Sequence, residues 1–574
     1  MPRRNDEVAA LLQEYADLLS ISGGEAFKVR VYEKAARAVA GHHADVSGLD
    51  AEELRAVPGV GSSIAEKVAE YLRTGRVTAL ERLRGRIPAG VRALTEIPTL
   101  GPRKAMQIHT ELGVSSVDEL EQALDRERVR ELKGFGPRTE DNLRRGIDVL
   151  RQSEGRAHLD VALSVAEEVT AAVREATGCV DCAYAGSLRR MRETVGDVDV
   201  LASAEDSAPL MAAFVGLPQV SEVLAHGTTR TSVRTHKGQQ VDLRVVPPRA
   251  WGAALQYFTG SKAHNIRTRG IAVRHGWKLS EYGLFDADTD ELVVSRTEED
   301  VYARLGLPWI PPPLREDRGE IEAAQEGTLP ELVTADDIRG DLHTHTDLTD
   351  GVSPLEDMVH AAARRGLSYY AVTDHAPDLP MQRMSDDKML AQRERVRALQ
   401  GEVRGMRLLH GTELNIGPDG GLDWPDEFLS GFDVCVASVH SHFDQPAEEM
   451  TRRIVRACEN PYVSILGHPT TRRIGRRPPV DVDPDAVFAA CARTGTALEV
   501  NSHPDRLDLS DAHILRAREH GVVFAVNTDA HSTVDLDNLR YGIGTAQRGW
   551  LSADEVINTW SWRRLRAFLH RSRP

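Results

Sequence analysis

Between residues 336 and 574, seven apolar runs each stop at a polar residue, and in six of them that residue is a type that ligates metals. The runs are IRGDLHTHT, YYAVTDH, LLHGTEL, VCVASVH, VSILGHP, ALEVNSH and VVFAVNTDAH. Their ends supply His343, His345, His375, Glu413, His440, His468, Asp529 and His531, with Asn501 as the exception. Short apolar runs are what parallel strands buried on both faces look like, and in α/β barrels the chemistry sits where such strands end. The pattern predicts a barrel whose ligands converge on one mouth. Imidazoles mixed with carboxylates suit Zn²⁺, Mn²⁺ or Fe²⁺ better than Mg²⁺. Clustered ions of that kind activate water and stabilise a phosphoryl transition state.

A second constellation lies earlier, in GSLRRMRETVGDVDV (186–200). Asp197 and Asp199 alternate with Val198 and Val200, so on a strand both carboxylates share one face and the valines take the other. Asp242, in QVDLRVV, is the third carboxylate expected from a neighbouring strand, and together they make an oxygen-rich site for two Mg²⁺. Two ions so held serve phosphoryl transfer. Gly186 and Ser187 open a turn for nucleotide phosphates, with Arg190 as a charged clamp.

A third pattern repeats. AVPGVGSSIAEKV (56–68), EIPTLGPRKAMQI (96–108) and LKGFGPRTEDNL (132–143) each place a glycine turn directly before a helix. Gly59, Gly61, Gly101, Gly134 and Gly136 let the backbone approach a ligand, and the N–H groups opening the next helix bind phosphate without reading a base. Three such turns favour helix–hairpin–helix DNA binding.

The elements that must carry these residues exceed one domain, since the chain has 574 residues. EVAALLQEYADLLSI, FKVRVYEKAARAVAG and SSIAEKVAEYLRTG read as amphipathic helices. From about residue 158 the pattern turns α/β, LPWIPPPLRED (307–317) ends that unit, and residues 319–335 read as a linker to the barrel. The expected division is a helical region over 1–80, further hairpins over 81–157, an α/β unit over 158–318 and the barrel over 336–574. The net charge of −16 is uneven: residues 1–318 hold 43 Lys+Arg against 47 Asp+Glu, residues 319–574 hold 28 against 40, so total charge is a poor guide to nucleic-acid binding. No run is apolar and long enough to span a membrane, MPRRNDEVAA lacks the apolar core of a signal peptide, and five cysteines are few and odd in number. A cytoplasmic protein is expected. Cys179 and Cys182 form a single CxxC, better explained by burial than by zinc.

The Gly-Ser turn, DVD, the later VD and YFTGSKAHNIRTRG (257–270) resemble the palm and thumb of family X DNA polymerases, the group that includes DNA polymerase beta, over residues 1–318. The resemblance implies metal-binding roles for Asp197, Asp199 and Asp242 and nucleotide contacts for Ser187, Arg190, Gly196 and Gly260. It puts Tyr257 and Phe258 beside the sugar, Asn265 at a base edge and Arg269 on the template strand. Two positions depart from the vertebrate repair enzymes: Lys262 stands where they have an acidic residue, and Gln240 where they have arginine. PGVGSSIAEKVAEYL matches the family's lyase hairpin, with Lys67 on the lysine that forms a Schiff base with an abasic sugar and Ser63 in place of a second lysine.

Residues 336–574 resemble the polymerase-and-histidinol-phosphatase (PHP) domain, a distorted seven-stranded barrel with a site for up to three ions. All nine ligand positions are filled once Asp350 is added to His343, His345, His375, Glu413, His440, His468, Asp529 and His531. Glu413, the only glutamate, is the natural bridge, whereas His442, His503 and His513 match no ligand position. Both halves together imply a monomeric bacterial repair enzyme that fills gaps from deoxyribonucleoside triphosphates on gapped or 3′-recessed DNA. The barrel would act as a 3′→5′ exonuclease or on abasic sites. Two alternatives stay open: a barrel that holds metal only structurally, or one that hydrolyses a small phosphate monoester.

Overall fold

Nine α-helices among the described residues, from Asn5–Ile21 to Pro137–Ser153, build the amino-terminal region. The computed structural model describes residues 4–571 except 41, 43–44, 58, 88, 99, 154 and 380–383, so Pro58 of the first hairpin and Thr99 of the second lie outside the described residues. Helices occur where the amphipathic pattern predicts them, at Asn5–Ile21, Ala26–Ala40 and Ser62–Thr74. Gly59 and Gly134 adopt φ of 83° and 84°, which a side chain would strain, and this lets each chain turn into the following helix. Gly61 caps Ser62–Thr74, and Gly101 caps Pro102–Leu112, whose proline at the first turn forfeits no hydrogen bond. Two separate apolar cores support the hairpins, one around Leu12, Ala35 and Val68, the other around Leu94, Ile108 and Leu124.

A five-stranded sheet follows, in the order 181–184, 197–203, 240–246, 230–235, 220–226. Asp197–Ser203 runs parallel to Gln240–Val246 with Asp199 opposite Asp242, and that register brings the third carboxylate beside the first two. Helix Leu159–Arg174 covers one face with Leu163, Ala166 and Val169. Beyond it, helices Trp251–Thr259 and Lys262–Arg274 pack on a three-stranded antiparallel sheet (277–280, 283–286, 292–294). Residues 319–335, read above as a linker, carry the helix Glu320–Glu326; its Ile321 and Ala324 join the core of this thumb unit, while Val333 joins that of the barrel.

The carboxy-terminal sheet has seven parallel strands in sequential order: 340–341, 369–372, 407–415, 434–438, 465–466, 497–501 and 524–527. It closes on itself through a parallel bridge between Thr344 and Ala530 and a hydrogen bond from the His345 N–H to the Ala530 carbonyl at 2.8 Å. Every residue of strands 369–372, 434–438, 497–501 and 524–527 is buried, as the unbroken apolar runs required. The barrel is docked firmly on the palm: Leu507, fully buried, belongs to the palm's core, and Arg472 pairs with Glu193 at 2.7 Å. No helix among the described residues is long and apolar enough to cross a membrane.

One buried carboxylate ties the thumb to the Gly-Ser turn. Glu298 accepts from Arg315, fully buried, at 2.6 Å and from Arg189 of the turn at 2.8 Å. Burial alone would raise its pKa, but the two guanidiniums hold it down at about 2. A depressed carboxyl contributes stability that is fully present above its ordinary value and is lost as pH falls through the folded one. Glu298→Gln should therefore cost about 3–5 kcal/mol by leaving Arg315 buried without its counter-charge. Calorimetric unfolding should show the gap between wild type and variant narrowing as pH drops from 4.5 toward 2.

Candidate functional site

Glu413 stands at the centre of the barrel mouth, 1 % exposed. One carboxylate oxygen lies 2.9 Å from His468 Nε2 and 3.1 Å from His440 Nε2; the other lies 2.9 Å from His375 Nδ1 and 3.5 Å from the Nε2 atoms of both His343 and His345. Asp529 Oδ1 approaches His345 Nε2 at 3.1 Å and His343 Nε2 at 3.6 Å. Asp350 completes the rim, 3.3 Å from His531 Nε2 and 3.4 Å from His375 Nε2. All nine residues expected from the sequence are gathered here. Eight of them fall into three overlapping groups: His345, Asp350, His375 and His531; His343, His345 and Asp529; His375, Glu413 and His440; His468 joins through Glu413.

These donors fit metal ions. Buried nitrogens and oxygens with no hydrogen-bond partner include His343 Nε2, both ring nitrogens of His345, Asp350 Oδ1 and His375 Nδ1. Orphaned buried polar atoms are rare and costly in folded proteins, and their concentration at one point marks ligand positions. His468 and Asp529 also hold φ of 27° and 54°, which non-glycine residues adopt only where the surroundings enforce it. The electrostatics match. Burial opposes ionisation of Glu413, yet His440, His375 and His343 hold its carboxyl well below the usual range. Burial likewise opposes charging of His343, but Glu499, Glu413 and Asp529 keep it well above the ordinary histidine value.

A supporting layer was missed in the sequence. Glu499, fully buried, accepts from His343 Nδ1 at 2.7 Å and from the His468 N–H at 2.7 Å. Asn415 Oδ1 accepts from His440 Nδ1 at 2.7 Å, and the Asp529 carbonyl accepts from His531 Nδ1 at 2.7 Å. Each bond leaves the opposite ring nitrogen aimed at the cluster, the usual way a protein fixes the tautomer of a ligating histidine. Asn501, the odd end among the seven runs, bonds Glu499 and Asp529, both at 3.1 Å. Glu499 sits two residues before Asn501 in ALEVNSH, so the period-2 rule was the signal that could have found it. His442, His503 and His513 stand outside the metal-ligand groups; His503 pairs with Asp505 at 2.6 Å and His513 bonds Ser510.

In the palm, Asp197, Asp199 and Asp242 form a fourth group, lining a cavity of about 140 Å³ with Arg230, Arg244 and Phe258. A Cβ on Gly186 would lie 2.2 Å from Asp199 Oδ2, so only glycine lets the turn approach the carboxylate this closely. Burial, then Asp197 and Asp242, push the Asp199 carboxyl up to about 7, the mark of carboxylates crowded for a cation. Arg230, on the adjacent strand, pairs with Asp242 at 2.8 Å, and Gln240 donates to the same carboxylate at 3.1 Å. Nothing in the sequence pattern singled out Arg230, because only the antiparallel register of 230–235 against 240–246 brings it there. Arg190 donates to the Thr259 carbonyl at 2.6 Å and pairs with Glu316 at 3.0 Å. The rings of Tyr257 and Phe258 meet edge-on at 5.0 Å, with Arg269 over the first and Arg244 over the second. Asn265 Nδ2 donates to the Tyr257 carbonyl at 2.7 Å, beside Gly260 at φ of 56°; Ser187 and Gly196 are half-buried.

Gly59, Gly101 and Gly134 are exposed at the hairpin tips and Gly136 is half-buried. Lys67 Nζ donates to the Ser63 hydroxyl at 2.8 Å and lies 5.6 and 5.7 Å from the ring centres of Tyr15 and Tyr32.

Family models match along the chain: a helix-hairpin-helix domain over residues 3–77, a SAM-like helix-hairpin-helix tandem over 91–148, the DNA polymerase beta thumb over 254–316 and the PHP domain over 341–503. The DNA polymerase/3'-5' exonuclease PolX of Bacillus subtilis (strain 168) is 34% identical over 569 residues, 99% of each chain. A probable phosphatase of Thermoanaerobacter sp. (strain X514) is 29% identical over 38% of this chain and 89% of its own. Rat DNA polymerase lambda is 26% identical over 51% of this chain and 53% of its own. With helical hairpins, carboxylate palm, polymerase beta thumb and histidine-rich barrel in one chain, and a full-length relative at that identity, this chain belongs to the bacterial PolX family, the family X DNA polymerases that carry a C-terminal PHP domain.

Proposed function

We propose that this chain is a DNA repair polymerase that adds deoxyribonucleotides at the palm carboxylates and removes them from 3′ ends at the barrel. The observation that carries this reading is the presence of two complete ligand sets in separate units of one chain, of different chemistry, each beside groups suited to phosphate. Two Mg²⁺ suit the all-oxygen palm site, and up to three Mn²⁺ or Zn²⁺ suit the imidazole-rich barrel. When bound, such ions neutralise charge developing on the phosphoryl oxygens and lower the pKa of the attacking oxygen.

The chain's own residues do the rest. Asp197 and Asp242 flank Asp199 on paired strands, so the three carboxylates are oriented by the sheet before any substrate arrives. Ser187 and the turn after Gly186 face the nucleotide phosphates, with Arg190 held near them by Glu316. Tyr257 and Phe258 crowd the sugar, which favours a deoxyribonucleotide. Asn265 and Arg269 sit beside them for the base edge and the template strand. In the barrel, Glu499, Asn415 and the Asp529 carbonyl hold the rings of His343, His440 and His531 in one tautomer. The hairpin glycines grip the DNA backbone without sequence preference, which fits gapped or 3′-recessed DNA bound by a monomer in the cytoplasm. Lys67 is the amine placed for abasic-sugar lyase chemistry. The similarity of the barrel to probable phosphatases keeps small monoesters as the second reading, and comparing a labelled 3′-recessed duplex with a phosphate monoester separates the two.

Asp199→Ala removes charge stabilisation made mainly in the transition state, so primer extension should fall by about 10³-fold or more, with DNA affinity little changed and nuclease intact. Undiminished extension would overturn the palm assignment. Conversely, Glu413→Ala or His440→Ala should abolish 3′→5′ degradation while extension continues, and degradation by the wild type should be stronger with Mn²⁺ than with Mg²⁺. Persistent degradation in both variants would remove the nuclease from the barrel. If Lys67 forms an imine, borohydride should trap the protein on a 5′ abasic sugar and Lys67→Ala should lose the adduct; equal yield would shift the chemistry to Lys34.

A further inference from the structure

The first and third hairpin segments meet loops at the ligand-bearing end of the barrel, and the second faces one across a cavity. Val352, two residues beyond Asp350 and bonded through its N–H to the His531 carbonyl at 2.7 Å, is buried in the core of the first helices with Val8 and Leu12. In the third hairpin, Arg138 donates to the Asp444 carbonyl, and farther along the same helix Arg145 pairs with Asp481 at 3.0 Å. Between them, a cavity of about 750 Å³ separates the second hairpin, lined by Glu96, Gly101 and Pro102, from Gly475 and Arg476 of the barrel. These barrel loops follow the strands that end in His343, His440 and His468, so the helical region lies across the mouth of the metal site.

The barrel contributes Gly475 and Arg476 to that cavity, whose helical side carries Asp17, Arg92 and Glu96, and further arginines lie between Arg476 and the metal site. TTRRIGRRPP (470–479) sets Arg472, Arg473, Arg476 and Arg477 immediately after His468. Arg506, from the loop after the sixth strand, brings its Nε within 3.7 Å of Asp529 Oδ2, and its Nη1 is buried with no hydrogen-bond partner. Arg473 pairs with Asp505 at 3.3 Å, and Arg477 stacks on Phe443 at 4.1 Å. Burial, then repulsion from Arg506 and Arg473, pushes Arg477 down to about 10. Of the other carboxylates nearby, Glu193 pairs with Arg472 at 2.7 Å, and Asp508 is raised to about 6 by burial and turned to Thr470. Guanidiniums gathered beside a phosphodiester-cleaving centre are suited to a polyanion.

We propose that a single DNA strand enters the barrel through the cleft between the second hairpin (Glu96, Gly101 and Pro102) and the arginine loop (Arg473–Arg477), its phosphates held by Arg473, Arg476 and Arg506 and by the N–H groups that open the helix after Gly101. The proposal rests on the nuclease reading above and gives it a substrate path, over Arg476 to Arg506 beside Asp529. The test uses full-length protein with Arg473→Ala/Arg476→Ala and, separately, Arg476→Glu at its exposed position. Fluorescence anisotropy with a labelled single-stranded oligonucleotide should show Kd raised about tenfold and the slope of log K against log salt reduced by about 1.4, two phosphate contacts at ~0.7 each. In Mn²⁺, degradation of the same strand at low concentration should fall about tenfold. Hydrolysis of the small diester thymidine 5′-(p-nitrophenyl phosphate) should stay at the wild-type rate. Strand binding insensitive to both variants, or an equal loss on the small diester, overturns the clamp. A wild-type chain that cleaves neither strand nor diester refutes the nuclease itself, so the two failures are distinguishable.

Discussion

The Glu413 carboxylate, buried among His343, His345, His375, His440 and His468, is the interaction on which the barrel converges. A buried ionised carboxylate is costly unless opposite charge and hydrogen bonds surround it. Imidazoles arriving from different strand ends provide that environment only if the sheet closes, because the first and seventh strands each bring ligands to it. Closure at Thr344–Ala530 is therefore a condition for the site as well as for the core. Glu499, Asn415 and Asn501 extend the same logic outward, since each fixes a ligand that would otherwise rotate.

The palm meets a related requirement differently. Its carboxylates repel one another, and the parallel register of Asp199 with Asp242 forces them together without a central opposite charge. Arg230 offsets part of that repulsion at the rim, which explains how Gln240 can replace an arginine two residues before Asp242: the guanidinium comes from the neighbouring strand.

The two halves are also joined electrostatically. Arg548, on the barrel helix Leu539–Arg548, donates to the Arg190 carbonyl and to Glu316, both at 2.8 Å, and Glu316 also holds Arg190. Arg548 is 4 % exposed, so this is a buried connection between Arg190 of the palm and the barrel. Separate ligand sets thus coexist with a shared interface, and residue-by-residue substitution tests their independence more cleanly than truncation.

Local patterns were sufficient wherever function follows strand or turn periodicity. The ends of seven apolar runs revealed the residues that gather at the barrel mouth, the alternation in DVD revealed the paired carboxylates, and the glycine turns revealed the hairpins, because each depends on residues within about ten positions of one another. Asn501 looked like an exception only because its partner Asp529 meets it from the end of the neighbouring strand. Arg230, Glu316 and Arg506 were invisible for the same reason: an arginine or glutamate on a strand or loop has the sequence signature of a solvated surface residue until its partner is known. What the sequence by itself determined was the set of side chains that gather at each site and the elements that carry them. Only tertiary structure decided which charges meet, and that the hairpins lie over the barrel mouth, because those contacts join residues hundreds of positions apart that no local rule relates.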